Sequence, residues 1–212
     1  SGVNIQQQRD VIRAIQAMNR AGNKTFHDPE IATRISQYEL AFKMQTSVPG
    51  LMDISGEPKH ILDLYGTQGG DGTFASNCLL ARRLAERGVR FIQLYHRGWD
   101  HHGGIGTNLP RKAAATDRPI AALIADLRQR GLLDETLVVF GAEFGRTPML
   151  QGDRATAGRD HHKEAFSYWL AGGGVRGGQV IGKTDRIGGH PTTAPFHPND
   201  MGATIYDALG IN

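Results

Sequence analysis

Apolar residues recur at threes and fours over residues 4–20, where Ile5, Val11, Ile12, Ile15 and Met18 share one side of a predicted helix that Gly22 and Asn23 stop. A second helix is predicted from about Asp28, an N-cap ahead of Pro29, to about Gln45, with Ser47-Val48-Pro49-Gly50 breaking it. Residues 51–73 show no period and gather Gly66, Gly69, Gly70 and Gly72, which fits a surface connection or a binding loop. Beyond them the pattern turns regular. A helix at 74–87 ends at Gly88, and the apolar run Val89-Arg90-Phe91-Ile92-Gln93-Leu94-Tyr95 reads as a strand. Thr116 can cap a helix over 117–130 whose Ile120, Leu123, Ile124 and Leu127 form one face, closed by Gly131. Strands follow at Thr136-Leu137-Val138-Val139-Phe140 and Phe166-Ser167-Tyr168-Trp169-Leu170-Ala171, and a last helix at about 199–209.

Helix, strand, loop, helix, strand, loop is the alternation of an α/β domain with a mostly parallel sheet. One domain over 1–212 is expected, with 1–73 a helical and irregular lead-in and 74–212 the α/β core. In parallel sheets ligands collect beyond the carboxyl ends of the strands. The loops after 89–95 and after 136–140 both leave predicted strands at that end.

Those loops carry the chemistry. Gly98-Trp99-Asp100-His101-His102-Gly103-Gly104 follows the first strand, and Gly141-Ala142-Glu143-Phe144-Gly145-Arg146-Thr147-Pro148 follows the second. Gly158-Arg159-Asp160-His161-His162 repeats the Asp-His-His triplet. Carboxylates and imidazoles converging from three loops supply mixed oxygen and nitrogen ligands suited to zinc, manganese or iron, while oxygen-rich sets suit magnesium or calcium. Such a metal polarises a phosphoryl or sulfuryl oxygen or acidifies bound water. The alternative is a set of surface loops whose polar groups cap helices and make turns. In an extended segment Asp100 and His102 point one way and His101 the other, which favours Asp100 and His102 as ligands and gives His101 a supporting or exposed role. Asp160 and His162 are further candidates for support around the ligands. Arg146 can clamp an anionic substrate group through its planar fork, or pair with Glu143 or Asp160 as scaffolding.

Composition narrows the partners. Net charge is +3 and aromatic content 7%, with Lys and Arg scattered and no basic run interleaved with aromatics, so nucleic-acid binding is not expected while an anionic small substrate is compatible. The single cysteine, Cys78, lies in an apolar helical segment and reads as a buried inert thiol. Nothing approaches 18 consecutive apolar residues, so no membrane span is expected. Gly177-Gly178-Gln179-Val180-Ile181-Gly182-Lys183-Thr184 matches the phosphate-loop pattern, but Asp185-Arg186-Ile187-Gly188-Gly189-His190-Pro191 cannot start the helix that loop requires, so no nucleotide-binding residues are assigned. His190 and His197, among Pro191, Pro195 and Pro198, read as exposed loop histidines, and Asp185 as a turn residue.

The motifs Gly98-Trp99-Asp100-x-His102, Glu143-Phe144-Gly145-Arg146-Thr147-Pro148 and Gly158-Arg159-Asp160-His161 resemble the bacterial domain-of-unknown-function family DUF1501. So do Leu170-Ala171-Gly172-Gly173-Gly174 through Gly182, and Ala203 through Gly210, and nearly the whole chain is covered. That family is similar to the alkaline phosphatase and sulfatase superfamily. The resemblance implies an α/β/α sandwich, divalent metal ions (zinc, manganese or calcium) flanking a nucleophile, and hydrolysis of an anionic small-molecule or glycan ester. It also implies metal ligation by Asp100, His102, Glu143 and His161, with Arg146 or Lys183 meeting the anion. Where the superfamily usually carries Asp-His, the chain reads Glu143-Phe144, and one imidazole is missing. The expected early Asp and the nucleophile have no counterpart here, so the chain resembles the C-terminal part of such a protein. Family members often carry a twin-arginine export signal, which implies a periplasmic or secreted location for the full-length protein. Two functions are therefore expected to compete: a metal-dependent hydrolase of phosphate or sulfate esters, and a non-catalytic metal- or glycan-binding module.

Overall fold

The structure, a computed structural model, describes residues 5–26, 29–193 and 195–211. The chain separates into two units, Ser1–Asp53 and Ile54–Asn212. In the first, α1 (Ile5–Phe26) pairs with α2 (Pro29–Met52), and Gln16 Nε2 donates to Glu39 Oε1 across the pair at 2.8 Å. The α1 helix covers the predicted span but runs past Gly22 and Asn23, and on its predicted apolar face Ile12 is half-buried while Val11, Ile15 and Met18 are exposed. The α2 helix continues through residues 47–50, where a break was predicted. Asp28, its predicted N-cap, lies outside the described residues.

The second unit is built around three helices. The α3 helix (Lys59–Tyr65) falls in the stretch read as irregular, and α4 (Phe74–Glu86) matches the predicted 74–87. The α5 helix (Ile105–Gln129) begins twelve residues before the predicted start at 117. Thr116, expected as its cap, lies inside it and turns its hydroxyl back to Lys112 O at 3.0 Å. Ile54, Ile61, Tyr65, Cys78, Leu79, Ala122, Leu123 and Leu127 form the core, with Leu94, Leu132, Leu133 and Val138 packed against it. Burial pushes the Cys78 thiol up to about 12, so it stays protonated and inert.

The buried face of α5 is rotated from the predicted one. It runs through Thr116, Pro119, Ala122, Leu123, Asp126 and Leu127, with Ile120 and Ile124 only half-buried. A charge pair accounts for the rotation. Asp126 Oδ2 accepts from Tyr65 Oη at 3.1 Å and lies 3.0 Å from Arg82 Nε, and Arg82 also meets Glu57 at 2.5 Å and Glu86 at 2.8 Å. The side chains of Arg82, Glu57 and Asp126 are all under a tenth exposed. Buried charges persist only when paired with opposite charges, and the pairing ties α4 to α5, though Arg82 Nε meets Asp126 as an ion pair without an aligned hydrogen bond.

The predicted α/β/α sandwich with a mostly parallel sheet is not the observed architecture. Among the described residues, seven helices, counting a 3₁₀ turn at Leu133–Glu135, accompany two two-stranded sheets, and both sheets are antiparallel. Strand β1 (Val138–Phe140) pairs with β4 (Trp169–Ala171), Val139 opposite Leu170. Strand β2 (Gly145–Arg146) pairs with β3 (His161–His162). A parallel return needs a crossover of a dozen or more residues, usually helical. Between β1 and β4 the chain makes no helix, only the β2–β3 ladder and loops, and it comes back antiparallel. The run at 89–95 keeps a strand's alternation, Ile92 and Leu94 half-buried and Phe91, Gln93 and Tyr95 exposed, but no described strand is hydrogen-bonded to it. The segment 177–184 is irregular, with Val180 and Ile181 exposed, and the next helix is α6 (Pro198–Ala208). A capping box at His197 and Asp200 opens α6, so His197, exposed as expected, is a helix cap rather than a plain loop residue.

Candidate metal centre

Two segments build the centre. One is the β2–β3 hairpin, in which Arg146 sits directly opposite His161. Thr147 N–H donates to Asp160 O at 2.9 Å, and Gln151 and Gly158 exchange backbone hydrogen bonds at 2.9 and 3.0 Å, extending the pairing towards the turn at 152–156. The other is the loop 96–104, which leads from the half-buried Leu94 into α5. Trp99 Nε1 donates to His96 Nδ1 at 2.9 Å, fixing the loop just before Asp100. Burial first, then the charge of Lys112, holds the His96 imidazole below its usual range, which keeps Nδ1 free to accept that bond.

The loop docks on the hairpin through backbone. Arg159 N–H donates to His101 O at 2.9 Å, Gly104 N–H to Thr156 O at 2.8 Å and Ile105 N–H to Ala157 O at 3.0 Å. Contact this close needs glycine at 158. A Cβ there would fall well inside 3.0 Å of three backbone atoms, His101 O, His102 C and Gly103 N. Gly104 turns the chain into α5 with φ 60°, ψ 30°, a left-handed conformation that glycine adopts freely.

Docked in this way, the two segments bring three donor atoms together. Asp100 Oδ1 lies 2.9 Å from His102 Nε2 and 3.0 Å from His161 Nε2, and the two imidazole nitrogens are 3.2 Å apart. A divalent ion with bonds of about 2.1 Å separates neighbouring ligand atoms by about 3.0 Å at right angles and about 3.4 Å in a tetrahedron. The observed edges of 2.9, 3.0 and 3.2 Å lie close to the right-angle value and short of the tetrahedral one, so the donor set fits a divalent cation. These three are the described residues whose ligand atoms all lie within 4.8 Å of one another.

The neighbours orient the imidazoles. His102 Nδ1 is 2.8 Å from Gln151 Oε1, a carbonyl that only accepts, so Nδ1 carries the proton and Nε2 turns its lone pair into the triangle. Asp160 Oδ1 stands 3.7 Å from the same Nδ1 and accepts from His161 N–H at 2.7 Å. Phe144 lies against the His161 ring, with centroids 4.2 Å apart. Arg146 Cζ sits 5.6 Å from the Phe144 ring centroid, and Nη1 donates to Asp100 Oδ1 at 2.8 Å. The Arg146 guanidinium, followed by the His161 imidazole, holds the Asp100 carboxyl down to about 2, so it is ionised throughout the neutral range.

The other sequence candidates are placed elsewhere. Glu143 is exposed and outside the triangle, and its neighbour Phe144 takes the contact with His161. His101 is buried rather than exposed, with Nε2 lacking a hydrogen-bond partner among the described residues. His162 faces away, its Nε2 2.9 Å from Gly189 O, and so joins the hairpin to the 185–190 turn that Asp185 organises. Lys183 is exposed, and its backbone N–H donates to Thr193 Oγ1 at 3.1 Å in the bridge region around Thr184 and Pro191. Arg146 resolves one alternative left by the sequence: its ion pair is with Asp100, not Glu143 or Asp160.

Gln151, Phe144 and Gly158 are the site residues that sequence reasoning passed over. The only sequence signal for them is position, since each lies within or beside a quoted motif. Among the described residues no helix is long and apolar enough to cross a membrane. No curated protein and no solved structure matches the chain. A family model matches residues 1–212, and by it the chain belongs to a family described as protein of unknown function, DUF1501.

Proposed function

We propose that the protein holds a divalent cation on Asp100, His102 and His161 and hydrolyses phosphate or sulfate esters of an anionic small molecule or glycan. The observation that carries the reading is the triangle of Asp100 Oδ1, His102 Nε2 and His161 Nε2, with edges of 2.9–3.2 Å and the His102 tautomer set by Gln151. Two nitrogens and one oxygen favour zinc or manganese over calcium, and three protein ligands leave coordination positions open to substrate, as catalytic sites do. A cation there would polarise the ester's phosphoryl or sulfuryl oxygen and stabilise charge developing on it. Asp100, already ionised, supplies the anionic ligand, and Arg146 supplies a planar pair of donors for the remaining oxygens. Among the described residues no hydroxyl or thiol hydrogen-bonds to the three ligands, so the attacking group is assigned to a source beyond these side chains. Motif resemblance to the phosphatase and sulfatase superfamily supports the ester class, and with it a periplasmic or secreted location for the full-length protein.

One observation favours a second reading, a metal- or glycan-binding module without turnover. The three ligand side chains are 40–61% exposed, whereas efficient ester hydrolysis benefits from a site that excludes water. An aryl phosphate and an aryl sulfate, each assayed with added zinc or manganese, separate the two. Turnover abolished by Asp100→Ala supports the hydrolase. Metal binding without turnover of either ester supports the module and refutes the hydrolase.

A further inference from the structure

Asp100 Oδ1 is shared. It sits in the ligand triangle and also accepts from Arg146 Nη1 at 2.8 Å, so one oxygen serves two roles that compete for it. Building on the metal reading above, we propose that Arg146 is an internal counter-cation that the metal displaces from Asp100, so that metal and a tetrahedral oxyanion bind with positive cooperativity.

The geometry leaves Arg146 free to make that exchange. Its backbone is pinned opposite His161 in the β2–β3 ladder. Its guanidinium is held mainly by the Asp100 bond, because its second contact, to Arg159 O, is long at 3.4 Å. A divalent ion bonded to Oδ1 would place its two charges next to the guanidinium. Like charges in contact repel, and here the repulsion is twice that of a singly charged pair. The lone pairs of Oδ1 are also limited, and the guanidinium and two imidazole nitrogens already crowd it. Once displaced, Arg146 stays at the rim of the same site with its fork of donors unpaired, and that fork matches two oxygens of phosphate or sulfate. An anion placed between guanidinium and metal removes the repulsion between them. The cation therefore favours the anion, and by linkage the anion favours the cation by the same factor. Arg159 is engaged on the hairpin instead, its Nη1 donating to Thr147 O at 2.8 Å.

Calorimetric titration of the whole chain with manganese, in sulfate and in chloride of equal ionic strength, tests this. For the wild-type protein, sulfate is expected to tighten manganese binding about 5- to 20-fold, within the usual range of such couplings. Arg146→Gln is expected to bind manganese several-fold tighter than wild type in chloride, because nothing need be displaced, and to lose the sulfate effect. Arg146→Lys keeps a point charge without the fork and is expected to stay near the wild-type affinity in chloride while showing a reduced sulfate effect. Sulfate leaving wild-type affinity unchanged, or Arg146→Gln binding manganese more weakly than wild type, overturns the exchange while the metal site stands. No manganese binding by any of the three proteins overturns both the exchange and the metal reading. The wild-type comparison needs no variant to fold.

Discussion

Gly158→Ala is the substitution to which the centre is most exposed. The new methyl would lie inside 3.0 Å of His101 O, His102 C and Gly103 N, all backbone atoms, none of which can rotate out of the way. Restoring ordinary contact moves the Asp-His-His loop off the hairpin by about 1 Å. The Arg159 N–H to His101 O bond, 2.9 Å in the native protein, then stretches beyond hydrogen-bonding range, and the neighbouring bonds to Thr156 O and Ala157 O are strained with it. Overpacking of this kind costs about 1–3 kcal/mol and a lost backbone bond about 1 kcal/mol, so a destabilisation of about 2–4 kcal/mol is expected. For a chain of this size that corresponds to a fall in Tm of about 5–15 °C by differential scanning calorimetry. Metal binding is hit independently, because metal–ligand distances tolerate only about 0.2 Å and His102 rides on the displaced loop. Manganese affinity is expected to fall at least about tenfold. Gly103→Ala is the control, since its Cβ meets only Thr156 O, at an ordinary 3.5 Å. A Gly158→Ala protein with Tm within about 2 °C of wild type and unchanged manganese affinity would refute the docking described for loop 96–104.

Gln151→Leu removes the acceptor that fixes the His102 tautomer, and manganese affinity is expected to drop about 10- to 100-fold with little change in Tm, while Gln151→Glu retains binding. Arg82→Ala leaves Glu57 and Asp126 buried without their main partner and is expected to cost about 3–5 kcal/mol in denaturant unfolding, whereas Arg82→Met with both acids neutralised recovers much of that. Burial alone would push Glu57 up, but hydrogen bonds and charges from Arg82 and Arg83 outweigh it and hold the carboxyl below its ordinary 4.5. A carboxyl lowered in the folded state stabilises the fold fully above 4.5 and loses that contribution as pH falls through its folded value. The stability gap between wild type and Glu57→Gln is therefore expected to be full at pH 7 and to narrow as pH falls below 4.5, and a gap that widens on acidification would contradict the ion-pair account.

Local pattern revealed more of the helices than of the sheets. The spacing of α4 and α6 and the apolar run of β1 are short-range signals, and each sits within a few residues of its predicted place. Strand pairing is a long-range property. Nothing in Phe91-Ile92-Gln93-Leu94-Tyr95 says whether another strand lies alongside, and the alternation of elements suggested a parallel sheet that the return to β4 does not make. The α5 face was misjudged for a similar reason. An aspartate at 126 looks like a solvent-facing residue until Arg82 and Tyr65, on other elements, are seen to meet it. In the site, alternation within the first Asp-His-His triplet pointed to Asp100 and His102, while 160–162 stayed open by pattern and only the family resemblance singled out His161, together with Glu143, which lies outside the triangle. Their supports were not legible. Gln151 and Gly158 act only through residues about 50 positions away in sequence, and an ordinary glutamine and glycine carry no local mark of that.

The central claim rests on whether the triangle holds a metal. Calorimetric titration with zinc and manganese of wild type beside Asp100→Ala, His102→Ala and His161→Ala tests it most directly. One ion per chain is expected for wild type, with affinity lost about 100-fold or more in each of the three variants and kept in His101→Ala and Glu143→Ala. Equal binding by wild type and the three ligand variants, or no binding by wild type, would contradict it.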